Sequence, residues 1–172
     1  MEALHKLEDQ LSGLFKDLPA LPKGVKDALV QYWPYLALLL GALQIFAAWG
    51  LWNLASYTNA WLDYASRVAG TPVGYSDAEK MVIYGGVVLL VANAVIFFMA
   101  YSPLLKKAKK GWDLLFLATI INLVYGLVQI FMTGRGFSSF IGSLVGTAIG
   151  LYLLFQIRDR YAAKAKKAAK TS

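Results

Sequence analysis

Cysteine is absent from the chain, and histidine occurs once, at His5. The first absence removes disulfides, thiolate nucleophiles and cysteine-held metals. The second leaves too few ligands for a zinc or haem site. Charge is scarce as well. Asp, Glu, Lys and Arg make up 16% of the 172 residues, against about 25% in a soluble domain. Hydrophobic residues reach 58%, above the usual ~45–50%. This composition disfavours a soluble enzyme, a disordered chain and a small disulfide scaffold. There is also no P-loop, Rossmann turn, HExxH, GxSxG or paired-carboxylate pattern. The expectation is a non-enzymatic protein with no catalytic residues, no metal and no cofactor.

What is present is long apolar sequence. A helix needs about 20 mostly apolar residues to cross the hydrocarbon core. Four stretches qualify, near Pro34–Ala55, Met81–Ser102, Trp112–Met132 and Ser139–Ile157. None contains Lys, Arg or Glu, and Asp113 stands at the start of the third. The first stretch does not read as a cleaved signal peptide, because a long charged segment precedes it and no small-residue cleavage site follows. The predicted fold is an all-α integral membrane protein, a four-helix antiparallel bundle with an N-terminal amphipathic helix. Its parts are residues 1–33 (amphipathic helices with a Pro-rich hinge), 34–157 (the four spans) and 158–172 (a basic tail).

Basic residues set the orientation. Of the 17 Lys and Arg, all but Arg67, Lys80 and Arg135 lie before the first stretch, between the second and third, or after the fourth. The positive-inside rule places those segments, and both termini, in the cytoplasm of a multi-pass inner (cytoplasmic) membrane protein. Aromatic residues near the span ends (Tyr32, Trp33, Tyr35, Trp52, Tyr57, Tyr101, Trp112 and Tyr161) fit headgroup-level anchors.

Outside the spans, Leu4, Leu7, Leu11, Leu14 and Leu18 form a stripe on a helix over residues 2–18, with Glu2, Lys6, Glu8, Asp9, Lys16 and Asp17 opposite. Such a stripe serves either a coiled-coil seam or a helix lying on the membrane or the bundle; two heptads favour the latter. Pro19 and Pro22 end this helix, and Pro22 can begin a short second one leading to Pro34. The first span is expected to continue as a helix to about Ala69, where Gly70, Pro72 and Gly74 break it. Ser76-Asp77-Ala78-Glu79 fits a capping box that starts the second span. The glycines beside Arg135 make a tight hairpin between spans three and four.

With ionisable groups missing from the spans, the candidate polar residues are neutral: Gln44, Asn93, Asn122, Tyr125 and Gln129. The last three share one face of span three. They serve either interhelical hydrogen bonds or the lining of a solute path, and the lack of charge favours the first. Gly142, Gly146 and Gly150, with Ser139, Ser143 and Thr147 beside them, form a small-residue strip suited to close helix packing, within one chain or between chains. Gly85-Gly86 can play a similar part. Lys106, Lys107, Lys109, Lys110, Arg158 and Arg160 are expected to mark topology and contact anionic lipid headgroups. The Lys-Ala tail has no interleaved aromatics, so no nucleic-acid partner is expected.

The linker Leu-Pro-Ala-Leu-Pro-Lys-Gly-Val-Lys-Asp (Leu18–Asp27) and the segment Gly-Leu-Tyr-Leu-Leu-Phe-Gln-Ile-Arg (Gly150–Arg158) carry a resemblance. Over the whole chain it resembles small uncharacterised four-span membrane proteins of reduced-genome, host-dependent bacteria of the candidate-phyla type. That resemblance implies the fold and brings no activity or site residues. The functional expectation is a structural, accessory or scaffold protein in the lipid bilayer, working through helix packing and its cytoplasmic ends, alone or as a homo-oligomer or with another membrane protein. The alternative is a small transporter or channel, oligomeric, with its path along the Asn122–Tyr125–Gln129 face.

Overall fold

In the computed structural model the structure describes residues 2–133 and 137–161. Among the described residues five α-helices follow one another: α1 (Glu2–Phe15), α2 (Lys23–Ala69), α3 (Asp77–Leu105), α4 (Lys109–Thr133) and α5 (Phe137–Gln156). No strand occurs among the described residues. α2 packs on α3, α3 on α4, α4 on α5, and α1 lies against α5. Arg135 falls outside the described residues, as do the basic residues after Tyr161.

Three helices, α2, α3 and α4, are long and apolar enough to cross a membrane. Only 17%, 22% and 17% of their most apolar windows are buried inside the protein. Leu39, Leu43, Phe46, Trp49, Val88, Val91, Val95 and Met99 stand exposed along α2 and α3. Monomeric soluble proteins rarely leave more than a few hundred Å² of contiguous apolar surface open to water. A hydrocarbon surrounding removes that cost.

α2 is one 47-residue helix, about 70 Å long at 1.5 Å per residue, more than twice a hydrocarbon core. It runs without a break through Pro34, so the expected short helix and the first span are a single element. A membrane helix tolerates proline because neighbouring helices and local adjustment satisfy the freed carbonyl. At its far end α2 stops at Gly70, whose φ of 66° is the left-handed cap that glycine adopts without strain. The Ser66 hydroxyl then bonds both backbone groups of Val73, donating to its carbonyl (2.9 Å) and accepting from its N–H (2.8 Å). α3 begins with the capping box expected from the sequence: Ser76 Oγ accepts from the Glu79 N–H (3.2 Å) and Glu79 Oε2 from the Ser76 N–H (2.9 Å).

The α3–α4 turn reverses the chain within three residues. The Lys107 N–H donates to the Leu104 carbonyl (2.9 Å) and the Ala108 N–H to the Pro103 carbonyl (2.8 Å). These two bonds make a Schellman motif, which puts its left-handed residue at Lys107 (φ 50°). Gly111 completes the turn, since a Cβ there would sit 2.7 Å from the Leu104 nitrogen. A side chain in the left-handed region costs roughly 1–2 kcal/mol, partly offset by the entropy glycine loses on folding. Lys107→Gly is therefore expected to stabilise the detergent-solubilised protein by roughly 0.5–1 kcal/mol, read as a higher Tm. A lower Tm would show that the turn carries no such strain.

Candidate functional site

The end of the molecule that carries the 106–110 turn brings together α1, the start of α2, the end of α3, the start of α4 and the end of α5. Its core is aromatic. Trp112 is fully buried, stacked on Phe116 (centroids 5.3 Å apart) and met edge-on by Phe155 (5.6 Å). Phe15 of α1 stacks on Phe155 from outside (5.1 Å). The Trp112 indole donates to the Leu154 carbonyl (2.8 Å), just before α5 breaks at Ile157. Trp112 and Tyr161, both expected at headgroup level, are instead core residues with no exposed surface. Sequence position places an aromatic near a span end; it cannot tell which side of the helix a neighbour will cover. Tyr161 has no hydrogen-bond partner for its hydroxyl among the described residues, and burial pushes its phenol up to about 12.

Over this core lies α1. Leu7, Leu11 and Phe15 pack against it, whereas Leu14 and Leu18 are exposed. The buried face is thus rotated away from the leucine stripe, and it carries Glu8, which is 2% exposed. The Glu8 carboxylate accepts from Arg158 Nε (2.6 Å) and from Lys109 Nζ (3.1 Å). Lys109 also reaches Asp113 (2.5 Å) and lies over the Trp112 ring, 5.1 Å from its centre. Arg158 extends its other arm to Asp9 (3.1 Å). Burial works against the Arg158 charge, but the Glu8 and Asp9 carboxylates more than offset it, so its pKa is raised. The cluster ties α1, α4 and the chain after α5 through charges that neutralise one another. Behind it, Gln156 and Tyr152 hold the α1–α2 linker. The Leu21 N–H donates to Gln156 Oε1 (3.1 Å), and the Pro19 carbonyl accepts from Gln156 Nε2 (3.2 Å) and the Tyr152 hydroxyl (2.7 Å).

Sequence reasoning placed Glu8 on the polar face of α1, not in the core. A signal for Glu8 did exist: Leu4, Glu8, Leu11 and Phe15 are spaced 4, 3 and 4, as regular as the leucine stripe itself. Of the basic residues expected at the lipid surface, Lys109 and Arg158 are drawn into the cluster, and Arg160 pairs with Asp27 (2.8 Å). Lys106, Lys107 and Lys110 are exposed.

The neutral polar residues divide. Asn93 Nδ2 donates to Asn122 Oδ1 (2.8 Å), and Asn122 Nδ2 to the Ala118 carbonyl of its own helix (3.0 Å). The Tyr125 hydroxyl donates to the Val82 carbonyl of α3 (2.6 Å). Gly86 makes that bond possible, because a Cβ there would lie 2.6 Å from the Tyr125 oxygen. Gly86→Ala is expected to lose this bond and cost roughly 1–2 kcal/mol, but less in a Tyr125→Phe background, where the obstructing oxygen is gone. A thermal double-mutant cycle measures the difference; full additivity would refute the contact. Gln129 stands exposed. Gln44 Oε1 and Asn93 Oδ1 are buried without a hydrogen-bond partner among the described residues.

The glycines of the α5 strip make no close contact among the described residues. A Cβ added at Gly142, Gly146 or Gly150 would have no atom within 4 Å. Thr147 is half-buried, and the side chains of Ser139 and Ser143 lie outside the described residues. Gly41, by contrast, is pressed under the Phe98 ring at the α2–α3 contact, 2.9 Å from where its Cβ would be. No group of His, Cys, Asp and Glu able to hold a metal occurs among the described residues.

Taken together, fold and site define an all-helical protein with at least three helices able to span a membrane, closed at one end by a buried ion cluster. Beyond that class, no family model, no curated protein and no solved structure matches the chain.

Proposed function

We propose that the chain is a non-enzymatic, multi-pass protein of the cytoplasmic (inner) membrane. In this reading α5 is a fourth span, the basic end faces the cytoplasm, and the protein acts as a scaffold for a partner helix. The observation that carries the reading is how the polar and small residues are used. Asn93, Asn122 and Tyr125 are spent on bonds that hold α3 to α4, while the α5 glycines stay open to a neighbour. Membrane helices associate through such strips because lipid offers no hydrophobic drive, leaving close backbone packing and weak polar contacts. The partner is a second copy or another membrane protein, and anionic headgroups meet the exposed lysines. Gly146→Leu tests the reading: it is expected to lower the mass of the detergent-solubilised assembly. A wild-type mass of one chain, with no co-purifying membrane protein, would count against a scaffold.

A second reading, a small transporter or channel, draws on the unpartnered acceptors of Gln44 and Asn93. Under the scaffold reading, liposomes carrying the protein leak ions and small neutral solutes no faster than empty ones. Robust flux abolished by Asn122→Leu would install the second reading in place of the first.

A further inference from the structure

A groove of about 610 Å³ opens at the basic end, between the start of α2, the α3–α4 turn and the chain beyond α5. We propose that it binds one anionic glycerophospholipid, the phosphate against Lys107 and Arg160 and an acyl chain along Pro34, Tyr35 and Leu105. The proposal rests on the membrane reading above and assigns its headgroup contact to one site.

The groove has the two halves that such a ligand needs. Its lining includes two cations, Lys107 and Arg160, and one carboxylate, Asp27, so it carries net positive charge. Asp27 holds Arg160 Nη2 at 2.8 Å; a guanidinium has five N–H donors, so this pairing orients Arg160 and leaves others for a phosphate. Lys107 is presented from a turn whose backbone is tied by two hydrogen bonds. It also occupies a left-handed position that glycine would fill at lower cost. Strain of that kind points to a function that needs the side chain, and here the side chain is a cation on a rigid support. The rest of the lining is mostly apolar. Pro34 is buried, whereas Tyr35 (55% exposed) and Leu105 (45%) are open at the surface. Basic pockets between membrane helices on the cytoplasmic side are a recurrent setting for anionic headgroups.

Native mass spectrometry and thermal unfolding of the purified full chain test this, with phosphatidylglycerol, phosphatidylcholine and inorganic phosphate as separate probes. Expected is one saturable phosphatidylglycerol per chain and a Tm raised by it, with neither effect from the other two probes. Lys107→Gly is the discriminating variant, since it removes the charge while relieving the backbone. It should weaken phosphatidylglycerol binding several-fold without lowering the Tm of the lipid-free protein, and adding Arg160→Gln should bring the loss to about tenfold or more. Lys6→Gln with Lys110→Gln removes two exposed charges elsewhere and should leave affinity unchanged. Equal weakening by that control pair would show diffuse attraction and overturn the site. Binding of inorganic phosphate alone would make it an anion site and overturn the lipid. Failure of the membrane reading is distinguishable: the protein would then leave membranes on alkaline carbonate washing, whatever the groove binds.

Discussion

Glu8→Gln is expected to release α1 from the helices it packs on. The carboxylate is 2% exposed and lies between two cations whose side chains are 27% and 30% exposed. Removing its charge leaves Lys109 and Arg158 facing each other with only Asp9 and Asp113 to balance them. Breaking a buried pair from one side costs about 3–5 kcal/mol, and the partial exposure of both cations puts this case near about 3 kcal/mol. The remaining hold on α1 is the Arg158–Asp9 pair and the packing of Leu7, Leu11 and Phe15. Amide exchange should show α1 losing protection while α3 and α4 keep theirs. Adding Arg158→Met should recover part of the loss, because the guanidinium that has lost the Glu8 charge is then replaced by an apolar side chain. If α1 stays protected in Glu8→Gln, the apolar face alone holds it and the ion cluster is incidental.

Trp112→Ala should have the larger effect. The indole is fully buried, central to a ring cluster drawn from α1, α4 and α5, and bonded to the Leu154 carbonyl. Truncating a buried tryptophan costs about 3–5 kcal/mol through lost contacts and the cavity left behind. Here the damage should spread: α5 and α1 both lose protection, since Phe155 is the surface on which Phe15 rests. Trp112→Phe separates the parts. It keeps a ring and loses the indole bond, so a cost of roughly 1–2 kcal/mol is expected. Equal losses in the two variants, measured by thermal unfolding, would mean that the hydrogen bond and not the packing holds α5 in place.

Particular residues show why some of this was legible beforehand. The capping box at Ser76 and the end of α2 at Gly70 depend on groups within a few positions of one another, so local chemistry suffices to place them. The bonding of Asn122 and Tyr125 to α3 was legible as the use that uncharged polar groups have in a span. Their actual partners, Asn93 and Val82, were not, because partner choice depends on the register of α3 against α4. Glu8 is the instructive miss. Read from α1 alone, a carboxylate belongs on the polar face, since burying it bare is prohibitive. It becomes buriable only when Lys109 and Arg158, 101 and 150 positions away, are brought to it.

By itself, then, the sequence determined helicity, the apolar lengths that match the hydrocarbon core of a bilayer, the segregation of basic residues and the sparing use of charge between them. Each follows from composition or from periodicity along a single element. Tertiary structure alone decided which aromatics form a core, which cations are spent on carboxylates, and which remain at the rim of the groove. It also decided that Gly142 and Gly146 stand exposed while Gly150 is half-buried. Those outcomes turn on which helices meet and at what rotation, and pairing energies of a few kcal/mol between distant residues are invisible in any one segment.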